Sequence, residues 1–117
     1  MSTVVTRSEV QHRLEDWRAG CLSTEAIHYW AEARYNVDGY ETEDDVVNEV
    51  LANLDTLDMN LLISDDVPAL LELLGVRPKA LAAGLAAFES YWSRLDMPQC
   101  RATLRDDPIY APFCDAG

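Results

Sequence analysis

Between Tyr35 and Val76 the chain carries eleven carboxylates and no lysine or arginine, while the remainder holds ten acidic and nine basic residues. Almost all of the formal net charge of −12 therefore falls in one contiguous third of the 117 residues. A surplus distributed like that is a field with a direction, and it makes a basic partner the first thing to look for. Repulsion among these carboxylates costs stability, modestly where water and salt screen it. Hydrophobic residues make up 49% of the chain. That is ordinary for a globular protein and too high for a disordered acidic one, so the charge rides on a folded body. Direct nucleic-acid binding is not expected, because phosphate affinity needs clustered lysine and arginine.

The length leaves room for one domain, residues 1–117, with one core. The N-terminus lacks an apolar stretch of the secretory kind, and the longest uncharged run, Ala80 to Phe88, falls far short of the roughly 20 residues that span a bilayer. Three widely spaced cysteines, Cys21, Cys100 and Cys114, suit free thiols in a reducing compartment. A cytoplasmic protein with no membrane contact is expected.

Helical periodicity runs through the chain. Thr6-Arg7-Ser8-Glu9 has the form of a capping box, Val10, Leu14 and Trp17 make one stripe, and Gly20 ends it. Ser23 caps a second helix, with Leu22 placed to staple onto Ile27, and Trp30 and Ala31 continue its buried face toward Tyr35. Asn36-Val37-Asp38-Gly39 has turn chemistry. Thr42 is the expected cap of a third helix, with Glu43, Asp44 and Asp45 in its first turn, where the helix dipole favours acids. Val46, Val47, Val50, Leu51, Leu54 and Leu57 share one arc of that helix. Met59 to Ile63 reads as a short apolar connection. Pro68 marks the first turn of a fourth helix that Gly75 closes, and Pro78 is placed to open the fifth.

Leu81, Leu85, Phe88, Trp92 and Leu95 form the stripe of the fifth helix, beside Gly84, which permits close approach. Its other side is Ala83, Ala86, Ala87 and Ser90, so the helix is expected to be central or to touch a second subunit as a homodimer. A short helix from Pro98 to Leu104 and an extended tail pinned by Tyr110 and Phe113 complete the expectation. No alternating strand pattern and no internal repeat is visible. The reading is all-α, an irregular bundle of five to six short helices.

Motifs for chemistry are sparse. Asn36-x-Asp38-Gly39 fails as a calcium loop, since Arg34 would fall where an anionic oxygen is required. Asp45 and Glu49 at i, i+4, with Asp65 and Asp66 opening the next helix, invite Mg²⁺ or Mn²⁺ and a divalent-metal-dependent hydrolase. The Glu-Glu-x-x-Glu stretch of all-helical nucleotide pyrophosphohydrolases is absent, however, and a solvated acidic face is the favoured reading. His12 and His28 lie on different expected helices, and neither belongs to the set of four groups that a zinc site needs. Cys21 lies near a helix start without an evident base. No cofactor, metal or catalytic group is assigned.

What remains is the surface. Asp38, Glu41, Glu43, Asp44, Asp45, Glu49, Asp55, Asp58, Asp65 and Asp66 make the candidate partner-binding set, and Tyr35 and Tyr40 beside them are candidate anchors. Solubility is the competing explanation of the same charge. The residues Leu14-x-x-Trp17-x-x-Gly20-x-x-Ser23, Trp30-Ala31-Glu32 and Tyr35, with Val50-x-x-x-Leu54-x-x-Leu57 and Asp65-Asp66-Val67-Pro68-Ala69-Leu70-Leu71, resemble small helical bacterial proteins. Some of those are similar to colicin-type immunity proteins, which bind and silence a toxin in the cytoplasm. The resemblance spans about two thirds of the chain and rests on helix-packing residues, so it carries over no toxin-contacting residue. It implies a non-catalytic protein-binding module for a basic partner, such as a nuclease toxin.

Overall fold

The computed structural model describes residues 4–35 and 41–114. The fold is all-α. Helix α1 (Arg7–Ala19) starts where Thr6 Oγ1 accepts the Glu9 N–H at 3.1 Å and ends at Gly20, whose φ of 83° is cheap only without a side chain. Helix α2 (Thr24–Tyr35) starts at Ser23, whose Oγ accepts the Ala26 N–H. Helix α3 (Asp45–Asp55) is capped by Asp44, which accepts the Val47 N–H at 3.0 Å, and not by the expected Thr42. The Thr42 hydroxyl is engaged instead with the Asp44 carbonyl, and a carboxylate is the stronger acceptor for an exposed helix amide.

Beyond α3 the chain turns through Thr56 to Leu62. Leu61 takes a left-handed φ of 56°, a conformation that costs a side-chain-bearing residue about 1–2 kcal/mol. Burial of both Leu61 and Leu62 in the core offsets that cost. A 3₁₀ turn (Ser64–Asp66) leads into α4 (Val67–Leu74), with Pro68 in its first turn as expected. A second 3₁₀ turn (Pro78–Ala80) precedes α5 (Leu81–Ser93), so Pro78 opens the turn and the α-helix begins three residues later. Helix α6 (Met97–Leu104) is capped by Asp96, and α7 (Ala111–Cys114) is a single turn.

Helices α1 to α4 make the core. Leu14 of α1, Ile27 of α2, Val50, Leu51 and Leu54 of α3, and Leu70 of α4 are fully buried in one cluster. Helix α2 lies along α3, and α1 along α4. Of the two places expected for α5, central or against a second subunit, the central one is not observed. The helix packs on α4 at the edge of the bundle, and Leu81, Leu85, Phe88, Trp92 and Leu95 are only half-buried. Gly84 makes the contact with α4 possible, since it is the one buried residue of α5 and sits against Leu73 and Val76.

Two expectations need correction. Strands do exist, as a parallel pair β1 (Val4–Val5) and β2 (Glu41–Thr42) in register Val4 to Glu41. Two residues are too few to show alternation in the sequence. Residues 111–114 are helical rather than extended, because Pro112 occupies a first turn, where its missing N–H costs nothing. Tyr110 pins this segment by burying its ring and donating its hydroxyl to the Leu62 carbonyl, while Phe113 stays 37% exposed and pins nothing.

A Cβ at residue 84 would lie 2.9 Å from Val76 Cγ2 and 3.3 Å from Leu73 Cδ1. Val76 is β-branched and cannot swing away freely. Gly84→Ala should therefore lower stability by about 1 kcal/mol, where helix propensity alone would raise it by about 1 kcal/mol. Urea denaturation reads the sign.

Candidate protein-docking surface

The acidic tract divides into carboxylates that hold the fold together and carboxylates that face outward. Arg7, at the start of α1, makes the first division. Its Nη1 and Nη2 reach Glu43 at 2.9 Å and Asp44 at 2.8 Å, and its Nε donates to the Leu74 carbonyl at the end of α4. The β1–β2 pair brings these groups together, and the Glu43 N–H extends it by donating to the Val5 carbonyl. Asp44 is largely shielded, its side chain 20% exposed. That burial pushes its carboxyl pKa up, but the Val47 N–H and the Arg7 guanidinium outweigh it and leave it below the usual 3.8.

Asp66 is the second internal acid and overturns its expected place on the surface, being only 5% exposed. Its Oδ2 accepts the Ile63 N–H at 2.9 Å, and its Oδ1 accepts the Tyr91 hydroxyl from α5. Those two bonds are what a buried carboxylate requires. They also tie the start of α4 to α5. Burial, next the hydrogen bond to Asp66 and then the Asp66 charge push the Tyr91 phenol up to about 12. The Cys100 thiol is pushed up by burial first and then by the same carboxylate, which disfavours a thiolate nucleophile there.

A third group gathers where α2 meets the end of α3. His28 Nε2 lies 3.0 Å from the Asp55 carbonyl, 3.6 Å from Asp58 Oδ1 and 3.7 Å from Glu32 Oε2. Asp58 also accepts the Met59 N–H. Asp55 is half-buried at the end of α3, where its backbone carbonyl meets His28. The expected set further includes Glu41, Asp45 and Asp65, all exposed and without an ion pair among the described residues, and Glu49, half-buried on α3. Asp38 and Tyr40 lie outside the described residues, as does the side chain of Tyr35, whose backbone closes α2.

Two exposed apolar side chains near this group are ones that the sequence does not single out. Tyr29 is 72% exposed and Met59 58% exposed. Tyr29 borders a shallow cleft with Glu25, His28 and Glu32, and Met59 adjoins Asp58. At 100° per residue Tyr29 points away from the Ile27, Trp30 and Ala31 face, so a helical wheel contained the signal. Trp30, by contrast, is core, with the guanidinium carbons of Arg13 and Arg34 at 5.2 and 5.3 Å from its ring.

Among the described residues, no three His, Cys, Asp or Glu side chains converge as a metal site would require, and no helix is long and apolar enough to cross a membrane. Comparison with protein-family models, with characterised proteins and with solved structures gives no match.

Two pH dependences follow from these contacts. Asp44, with its pKa lowered in the fold, stabilises the protein above the ordinary carboxylate pKa of 3.8, and that contribution is lost as pH falls through the folded value. Asp44→Asn keeps a capping oxygen but loses the Arg7 pair, and should cost about 1 kcal/mol at neutral pH. The gap to wild type should close in strong acid, as measured by denaturation across pH. Tyr91 has the opposite sign. Its raised pKa stabilises the fold fully below the usual 10.0 and fails as pH rises through about 12. Alkaline melts should show this loss in wild type and a shallower one in Tyr91→Phe.

Proposed function

We propose that the protein is a non-catalytic binding module that docks an acidic surface on a basic partner protein, in the manner of an immunity or antitoxin protein that inhibits a nuclease toxin. One observation carries this reading. After the fold has used Glu43, Asp44, Asp58 and Asp66 internally, Glu41, Asp45 and Asp65 remain exposed and unpaired among the described residues. Asp45 stands on a rigid support, because the opposite face of α3 is fully buried through Val46, Val47, Val50, Leu51 and Leu54. Carboxylates held this way can occupy the places that phosphates take on a nuclease surface, and their field accelerates encounter by roughly 10 to 10³-fold. Tyr29 and Met59 supply apolar surface that such an interface desolvates. On this reading the protein works in the cytoplasm, which suits three free thiols.

A second reading, a homo-oligomeric scaffold, draws support from α5. This edge helix leaves Ala82, Ala83, Ala86 and Ala87 exposed. Sedimentation decides it, since a 13.1 kDa species at high concentration removes the scaffold.

The docking reading is tested by capture from the source organism's lysate, with wild type and the Glu41→Gln, Asp45→Asn, Asp65→Asn triple variant as baits. A basic protein should bind wild type at low salt, leave with added salt, and bind the triple variant about tenfold more weakly. Equal capture by both baits would remove these carboxylates from the interface.

A further inference from the structure

The groove between α3 and α5 has a composition that neither helix shows by itself. Its cavity measures about 370 Å³. Leu85, Phe88 and Trp92 supply its apolar surface over the fully buried Leu62, and Glu49 from α3 and Glu89 from α5 border it. No lysine, arginine or histidine lines it. The polar groups around it already have internal work. Trp92 Nε1 donates to the Asn60 carbonyl at 3.2 Å, Asn53 Nδ2 to the Glu49 carbonyl at 2.9 Å, and Asn60 Nδ2 to Thr56 Oγ1 at 3.2 Å. The indole plane is thereby fixed, and what the groove offers a visitor is mainly carboxylate oxygen above aromatic carbon.

We infer that this groove receives an arginine or lysine side chain of the basic partner, its aliphatic stem on Leu85, Phe88 and Trp92 and its cation held by Glu49 and Glu89. The inference rests on the docking reading and names the element of the partner that the groove takes. Charge complementarity selects the occupant. A neutral apolar side chain would leave two carboxylates partly desolvated without a counter-charge, and an acidic one would be repelled by both. A long basic side chain satisfies both halves of the site, because its methylenes prefer carbon and its head prefers oxygen. The aromatic rings add cation–π attraction for a guanidinium that passes over them.

The edge position of α5 is part of the argument. A central α5 would have buried Phe88 and Trp92 against other helices. Packed mainly on α4 through Gly84 and tied to the 60–66 connection by Tyr91 and Trp92, it leaves Phe88 and Trp92 half-buried. Glu49 is likewise half-buried, outside the arc of α3 that Val46, Val47, Val50, Leu51 and Leu54 bury.

The probe is n-butylguanidinium, which carries the arginine head and stem without a peptide, and n-butanol is its neutral control. Two-dimensional amide NMR of wild type should show saturable shifts at the Trp92 indole N–H and around Phe88 and Glu89 with the cation. Butanol at equal concentration should move them far less. Glu49→Gln with Glu89→Gln should weaken the cation about tenfold, two screened charge contacts having been removed. Shifts scattered over Asp45 and Asp65 and absent at Trp92, or equal affinity for butanol, would overturn the assignment. The same double variant, offered the captured basic protein, separates the two claims. Retained binding there, with loss in the Glu41, Asp45 and Asp65 triple variant, would defeat the groove and leave the docking reading standing.

Discussion

The structure depends on one guanidinium. Arg7 reaches Glu43 and Asp44 before α3 and the Leu74 carbonyl at the end of α4, so a single side chain fastens three elements. Its charge offsets the carboxylates before α3, and it suits the helix dipole at the carbonyl-rich end of α4. It is also the one base that the described part of the acidic tract borrows from the first helix. Without it, Glu43, Asp44 and Asp45 would crowd one helix start with no counter-charge beside them. The short β1–β2 pair matters for the same reason, since it delivers the chain to Arg7 on one side and to Glu43 on the other.

The second anchor works by burial rather than charge pairing. Asp66 accepts from Ile63 and Tyr91, and Tyr110 donates to Leu62, so the chain from 62 to 66 is held from α5 and from the C-terminal segment. These bonds compensate a left-handed Leu61 and a buried carboxylate within one short stretch. They also explain how an edge helix such as α5 holds a defined position with little apolar burial of its own. The groove beside α3 inherits its shape from that arrangement, because Trp92 is fixed through the Asn60 carbonyl in the same connection.

Most of the fold is legible in the sequence because helix physics is local. Thr6, Gly20, Ser23 and Pro68 act within one turn of themselves, and Val10, Leu14 and Trp17 declare their face by spacing alone. The division of the carboxylates is not legible, because it is decided by partners far along the chain. Arg7 lies 36 residues from Glu43, and Tyr91 lies 25 from Asp66. Asp65 and Asp66 are neighbours of the same type with opposite fates: Asp66 takes the local Ile63 N–H, and α5 adds the Tyr91 hydroxyl. Asp66 is therefore internal where a surface place is expected, and Tyr29 is exposed on a helix whose sequence declares only its buried face.

The central claim is that carboxylates of one tract do two different jobs. It is tested most directly by denaturing two variants that remove the same number of charges, Glu43→Gln with Asp44→Asn, and Asp45→Asn with Asp65→Asn. The account predicts that the first loses about 1–2 kcal/mol and that the second stays within about 0.5 kcal/mol of wild type or gains as repulsion is relieved. Equal losses in both would contradict it, and the tract would then be a structural feature throughout.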